Sequence, residues 1–349
     1  MNIGFDSARD CRLLFDSAVR NEGALILLRS KLEVIAQRLG FPEVKVQNML
    51  LVASELVSNN IKYAGGRGLI QVWQQPGLVL DIVALDFGPG IADLERAEED
   101  GYSTANTLGK GLGSVRRLSD ELFIYTQLRD EGPQKKWSGT VFLARFHGGD
   151  GKQAVRREMT GFRLGLFSRS LSDSRYNGDR VYVQADGRKL RWLHLDGLGH
   201  GETAQEATAS LAAHLVHDNP VDTLDGVDHQ LAGTRGAVAA AGTIDMTAQQ
   251  IKIAGVGDMH ARLYDKQYLS EVQFVPGVLG REHRTLLLFE GGFNNRNLVI
   301  TASDGIRRNW DTTSFTGLFK QHPQLIAYTL GNIMSRVSDD QSLCVLTAE

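Results

Sequence analysis

The sequence predicts an α+β chain of two domains, the first a sheet with helices on one face and the second a β-sandwich flanked by helices. Three observations lead there. The chain has 349 residues, and roughly 100–200 residues make one domain. Toward the N-terminus, a pair of long amphipathic helical patterns precedes alternating apolar segments. Toward the C-terminus, short apolar strand patterns far outnumber helical ones.

Leu25, Leu28, Leu32, Ile35, Ala36 and Leu39 recur at helical spacing over about 19–39, and Gly40 then Pro42 stop that helix. A second helix is expected over 43–63. Segments 69–73 and 78–85 read as strands joined at Pro76-Gly77, a hairpin. A helix near 113–122 and strands over 121–127 and 139–146 complete the first domain, 1–147. Residues 148–160 are the expected linker, because His147-Gly-Gly-Asp-Gly-Lys-Gln153 is glycine-rich and has no periodicity. The second domain, 161–349, carries strand patterns at 162–167, 180–185, 190–195, 236–244, 250–255, 261–264, 286–289, 298–302 and 342–346. Its helical patterns lie at 202–217 and 324–335.

Lys and Arg number 38 against 41 Asp and Glu, a net charge of −3. No positive field is available, so nucleic acid and anionic membrane are excluded as partners recognised by bulk charge. No apolar run approaches the roughly 18 residues of a membrane span. Asp6, Arg9, Asp10 and Arg12 occupy the place where a signal peptide needs an apolar stretch, so the expected location is the cytoplasm. Cys11 and Cys344 are the only cysteines, too few for a disulfide framework or a cysteine metal site.

Glu55 and Asn59 stand four apart in the second helix and share one face beside the stripe of Met49, Val52, Ala53 and Leu56. An amide oxygen there can ligate Mg²⁺, and a neighbouring carboxylate can orient or deprotonate a nucleophile. Asp86 ends an apolar strand and is followed by Gly88 and Gly90, which let backbone approach a flat ring while the carboxylate accepts from an exocyclic amine. Gly109-Lys110-Gly111-Leu-Gly113 opens a helix, so free N–H groups and an ammonium can meet phosphates. With these motifs in this order, residues 15–146 resemble the GHKL ATPases, whose Bergerat fold is an α/β sandwich. Within them they are most similar to the small serine kinases of bacterial partner switching, the stressosome switch kinase and anti-sigma-factor kinases. The resemblance implies ATP with Mg²⁺ as cofactor. Asn59 would hold the Mg²⁺ and Glu55 would activate the acceptor serine. Asp86 would read adenine with Thr140 in support, and Gly109, Lys110, Gly111 and Gly113 would surround the phosphates.

Asp179, Asp196, Asp304 and Asp339 stand at strand ends or glycine turns, an arrangement that gathers oxygen ligands for Mg²⁺ or Mn²⁺. Asp186-Gly187 and Asp225-Gly226 read as plain turns. From residue 162 onward the set, above all Asp196-Gly-Leu-Gly-His-Gly201 and Gly255-Val-Gly-Asp258, resembles the PPM (type 2C) serine/threonine phosphatases, especially their SpoIIE group. That resemblance implies two Mn²⁺ or Mg²⁺ ions. Asp196 would bridge them, the Gly197 carbonyl would bind the first, and Asp304 and Asp339 the second, with Asp179 acting through a metal-bound water. The doublet leaves the register open between Asp339 and Asp340. Asp258 stands where the family often has Asn. No arginine is identifiable as a phosphate clamp, and His200 reads as shaping its loop or capping the next helix.

Together the resemblances imply a bifunctional protein-serine/threonine kinase and phosphatase acting on one STAS-domain regulator, an anti-anti-sigma or stressosome protein. A sigma factor or downstream signalling protein is the further partner implied. The alternative is an ATP-binding anti-sigma or regulatory module fused to a phosphatase that alone is catalytic.

Overall fold

The computed structural model describes residues 3–98, 111–129, 135–149, 161–265 and 268–349. The chain divides into two compact units. One consists of Leu13–Val155 with Thr313–Leu325, the other of Met1–Arg12, Arg156–Thr312 and Ile326–Glu349. Two short segments thus belong with the opposite half of the sequence. Of the expected linker, residues 150–160 lie outside the described residues.

The chain opens with β1 (Ile3–Asp6) and a helical turn, α1 (Ser7–Asp10). The first unit follows with β2 (Arg12–Val19), α2 (Gly23–Arg38), α3 (Glu43–Ala64), β3 (Gly68–Gln75), β4 (Val79–Asp86), α4 (Leu94–Glu98), α5 (Gly111–Leu118), β5 (Glu121–Gln127) and β6 (Gly139–His147). Among the described residues its sheet runs β2-β3-β4-β6-β5, and β3 pairs antiparallel with β4 as the hairpin pattern predicts. The stripe of Met49, Val52, Ala53, Leu56 and Val57 on α3 is buried with Ile70, Val72, Leu80 and Ile82 of the sheet. Full burial of one such side chain is worth about 1.5–3 kcal/mol. Gly65, at φ +64°, ends α3 in the left-handed conformation that glycine adopts without strain.

Two boundaries differ from the sequence reading. Val19 ends β2 instead of beginning a helix, because Asn21 turns the chain, its Oδ1 accepting the Gly23 N–H at 2.9 Å. The helix expected over 113–122 stops at Leu118, and the Asp120 N–H donates to the Arg145 carbonyl at 3.0 Å as the chain enters β5. Segment 313–325 lies along β5. Gln127 Nε2 donates to the Ser314 carbonyl at 3.1 Å and its Oε1 accepts the Thr316 N–H at 3.2 Å. The Phe123 and His322 rings stack with centroids 4.2 Å apart.

The second unit holds β1 with β7 (Phe162–Arg169), β8 (Asp179–Asp186), β9 (Lys189–Gly197), β10 (Ala237–Asp245), β11 (Gln250–Val256), β12 (His260–Asp265), β13 (Tyr268–Val272), β14 (Phe289–Gly292), β15 (Asn297–Ala302) and β16 (Gln341–Ala348). Among the described residues they form two sheets, β1-β8-β9-β10-β11-β14 and β13-β12-β15-β16-β7. Side chains alternate along β9. Leu193 and Leu195 pack with Leu224, Val227 and Leu231 of the helix Pro220–Leu231. His194 points the other way and bonds Thr301 of β15 and Ser342 of β16, which stacks the two sheets face to face. At the outer edge β1 pairs antiparallel with β8, and Asp6 takes both Nε and Nη2 of Arg180 at 2.8 and 2.6 Å.

The helix expected over 202–217 stops at Thr208, since Ser210 takes a left-handed φ of +61°. The helix Pro220–Leu231 has no counterpart in the sequence reading. It begins on Asn219, whose Oδ1 accepts the Val221 N–H at 3.1 Å. It also contains Asp225-Gly226, so this pair is helical and not a turn; a Cβ on Gly226 would come within 2.5 Å of His214 Nδ1. The strand expected over 286–289 begins only at Phe289, and β13, mostly exposed, lacks the apolar alternation that marks a strand.

Candidate active sites

In the first unit α3 presents Glu55 and Asn59, both half-buried, on one edge. The first turn of α5 lies against them. A Cβ built on Gly111 would stand 3.0 Å from Glu55 Oε2 and 3.7 Å from Asn59 Oδ1, so the backbone of this turn approaches the pair as closely as a glycine allows. Gly113, two residues further along α5, is buried. Gly109 and Lys110 lie outside the described residues.

Asp86 ends β4. Its Oδ1 accepts the Gly88 N–H at 2.7 Å, and the Thr140 backbone N–H also donates to the carboxylate. Burial pushes its pKa above the ordinary carboxylate value, against the pull of these two N–H groups and of Arg67. Thr140 therefore reaches Asp86 through its backbone, while its Oγ1 lies 3.2 Å from Thr126 Oγ1. Thr126 in turn accepts the Ile91 N–H at 2.7 Å and so fixes the far end of the glycine loop. Gly90, at φ +82°, has no room for a side chain, since its Cβ would meet the Gln127 carbonyl at 2.5 Å. Trp137 and Ser138, which carry no motif, complete the floor. Trp137 Nε1 donates to the Asp86 carbonyl at 2.9 Å and Ser138 Oγ to the Gly88 carbonyl at 3.1 Å. The Asp86 carboxylate beside its glycine loop and the Glu55–Asn59 pair facing Gly111 fit, in chemistry, a nucleotide with its Mg²⁺.

In the second unit Asp179 and Asp196 are direct partners across β8 and β9. Asp196 feels burial first, then the fields of Asp179, Asp304, Asp339 and Asp258, and its pKa is pushed up to about 10. Asp179 is raised to about 7 by burial, with Asp340 and Asp339 adding, although the Ser303 and Ser342 hydroxyls donate to it. Asp304 is raised by burial and by Asp339 and Asp258, against the opposing fields of Arg336 and Arg308. Asp258, in the turn at Gly257 after β11, thus belongs to the cluster although the sequence reading assigned it no role; its place in Gly255-Val-Gly-Asp258 was the available signal.

The Asp339-Asp340 doublet divides. Asp340 is buried, its Oδ1 accepting the Leu171 N–H at 2.6 Å and its Oδ2 the Gly178 N–H at 2.7 Å, while Asp339 Oδ1 accepts the Asp340 N–H at 2.9 Å and its charge acts on Asp179, Asp196 and Asp304. Gly305 packs onto this clamp, since a Cβ there would lie 1.8 Å from the Asp340 carbonyl. His200 is exposed, and the helix Glu202–Thr208 starts on Gly201 with no side-chain cap. Among the described residues no three His, Cys, Asp or Glu side chains converge tightly enough to enclose a metal ion as they stand. The donors are nevertheless all oxygen, and their mutual repulsion is the kind a divalent cation relieves, so the set fits Mg²⁺ or Mn²⁺ in chemistry.

These features define, for the first unit, a nucleotide-binding α/β sandwich, and residues 19–135 match the family described as "Histidine kinase-like ATPase domain". The chain is 37% identical over 118 residues to the serine/threonine-protein kinase RsbT of Bacillus subtilis (strain 168), covering 33% of this chain and 88% of that protein. Through its first unit the chain belongs to this family. Among solved structures, it is similar to RsbX in complex with magnesium at 16% identity and a TM-score of 0.48, over 54% of this chain and 96% of that one. It is also similar to the PP2C phosphatase domain of SpoIIE with a fragment of its regulatory domain, from Bacillus subtilis, at 13% identity and a TM-score of 0.44, over 94% of this chain and 95% of that one. Both likenesses are loose, so the chemistry of the second unit rests on its own acidic cluster.

Proposed function

We propose that this chain is a bifunctional switch that phosphorylates a serine or threonine of a partner protein with ATP and removes the same phosphate with a metal-dependent phosphatase. The carrying observation is the presence on one chain of two sets of polar groups: the Glu55–Asn59 edge facing Gly111, and the carboxylates of Asp179, Asp196, Asp304 and Asp339 with Asp258. Membership in the family of RsbT, a serine/threonine-protein kinase, supports the first half.

In the kinase half, Asn59 would hold Mg²⁺, Glu55 would accept the proton of the acceptor hydroxyl, and Asp86 would accept from the adenine amine. The N–H groups around Gly111 and Gly113 would face the phosphates, joined by Gly109 and Lys110. In the phosphatase half, two divalent cations would supply Lewis-acid activation of water and neutralise the phosphate charge. Asp196 and the Gly197 carbonyl would hold the first and Asp196, Asp304 and Asp339 the second, with Asp179 accepting from water. Asp340 is committed to its two backbone N–H groups, which favours Asp339 as the ligand.

The proposed substrate is a STAS-domain regulator in the cytoplasm, whose phosphorylation decides which partner, a sigma factor or a downstream signalling protein, it holds. Among the described residues no helix is long and apolar enough to cross a membrane. A regulatory, non-catalytic ATP module is the rival, and Glu55 beside Asn59 favours the kinase. The test incubates the purified chain with a candidate STAS protein, first with Mg-ATP, then with Mn²⁺ after ATP removal, and follows phosphate by mass. One phosphate should be gained and then lost. No gain with tight ATP binding would favour the regulatory module, and no loss would remove the phosphatase half.

A further inference from the structure

Beneath the acidic cluster a line of buried polar groups crosses from one sheet to the other. Ser342 Oγ donates to Asp179 Oδ2 at 2.7 Å, His194 Nε2 lies 2.7 Å from Ser342 Oγ, and His194 Nδ1 lies 2.8 Å from Thr301 Oγ1. Asp179, His194, Ser342 and Thr301 are each at most 2% exposed. Cys344, across the strand pair from Thr301, adjoins the Thr301 hydroxyl.

Donor and acceptor roles along this line follow from its end. The Ser342 hydroxyl donates its one proton to Asp179 Oδ2, so its lone pairs are left to accept. His194 must then present Nε2–H to Ser342, its Nδ1 is bare, and the Thr301 hydroxyl donates to Nδ1. Every hydrogen bond points toward Asp179. Ser303 adds a second hydroxyl to the same carboxylate and accepts the Ser342 N–H at 3.1 Å. A buried histidine in an all-β core would ordinarily be replaceable by an apolar residue, yet this one is saturated by two hydroxyls from the facing sheet.

We propose that His194, held between Thr301 and Ser342 with an Nε2–H toward Ser342, is a positioning residue that orients the Asp179 carboxylate and thereby tunes the affinity of the second unit for its divalent cations. This deepens the phosphatase reading and rests on it. Outer-shell groups of this kind typically change metal affinity by ~10–100-fold, and here the effect would be passed on through Asp179 and the water it holds.

The test uses the full chain. Ser342→Ala removes the bridging hydroxyl, His194→Phe removes both contacts, and His194→Gln keeps an N–H donor for Ser342. Leu193→Ala, on the opposite face of β9, serves as the control for simple loss of packing. Mn²⁺ affinity is measured by calorimetry, alongside the Mn²⁺ activation constant and kcat at saturating metal. Ser342→Ala and His194→Phe should weaken Mn²⁺ binding at least tenfold with kcat largely recovered at high metal, and His194→Gln should restore most of it. Leu193→Ala should lower Tm and leave the Mn²⁺ constant within about twofold of wild type. Independently, imidazole ¹⁵N shifts of the unmutated protein should report Nε2 protonated and Nδ1 bare, a readout that survives if His194→Phe fails to fold. An Nδ1–H tautomer, or Mn²⁺ constants that follow Tm in every variant, would overturn the proposal. Failure of the wild type to bind Mn²⁺ at all would instead overturn the phosphatase reading beneath it.

Discussion

Asp304 carries the sharpest single expectation. It is flanked by Ser303 and Gly305 at the end of β15 and is only half-buried, so Asp304→Asn should leave the fold and the kinase intact. With Asp304 as the proposed metal ligand, phosphatase turnover on p-nitrophenyl phosphate with Mn²⁺ should fall by several orders of magnitude, because a metal that would lower the pKa of water from 15.7 toward ~7 would lose a ligand. A near wild-type rate would turn the second unit into a phosphoprotein-binding module. Glu55 and Asn59 separate in the same manner. Glu55→Ala should abolish phosphotransfer while retaining much of the ATP affinity, and Asn59→Ala should lose both. Calorimetry with Mg²⁺ present distinguishes them, and equal ATP affinity in Asn59→Ala and wild type would remove Asn59 from the metal.

Between residues and units stand the elements that aim these side chains. The start of α5 approaches α3 so closely at Gly111 that any Cβ meets Glu55 Oε2 at 3.0 Å. Gly111→Val places a branched side chain there, so nucleotide affinity should drop at least tenfold while far-ultraviolet circular dichroism and Tm stay near wild type. A loss of Tm with unchanged affinity would mean that the turn packs but does not bind. Helix α3 shows how much one element can disclose: its apolar stripe and its polar edge are both visible in 43–63 because they obey one 3.6-residue period, whereas its end on Gly65 was not read from the sequence. The helix Pro220–Leu231 shows the opposite. Its Asn219-Pro220 start was in the sequence, but Asp225-Gly226 mimics a turn, and only the His214 ring packed against Gly226 explains a glycine in mid-helix.

For the whole molecule, residues 1–12 and 313–325 matter beyond their length. β1 supplies the outer strand of the six-stranded sheet, fastened by the paired bonds of Asp6 to Arg180 and by the Val181 N–H donating to Ser7 Oγ at 2.9 Å. We expect a fragment 158–349 to have a lower Tm than the same fragment with residues 1–12 added in trans as a peptide, because without them the inner polar groups of β8 are left as an open edge. Equal Tm values would show that the strand is dispensable. A fragment 1–147 lacks the segment that bonds Gln127, and differential scanning calorimetry of that piece with and without a 313–325 peptide measures what the segment contributes.

What the sequence determined by itself is whatever repeats or punctuates locally: the helical spacing of Glu55 and Asn59, the hairpin at Pro76-Gly77, the glycine turns after apolar strands, and the centres of most strands of the second unit, though not β1, β13 or β14. Such features follow from the chain's own geometry over a few residues, and so they can be read without partners. Tertiary structure alone decided which acidic residues meet. It drew Asp258 into the cluster, tied Asp340 to the N–H groups of Leu171 and Gly178, and set His194 between Thr301 and Ser342. It also joined β1 to β8 across more than a hundred and seventy positions, with Ile3 opposite Ala185. These contacts are hydrogen bonds and charges between residues with no periodic relation, and their pairing is chosen by which backbone groups and carboxylates burial leaves in need of a partner.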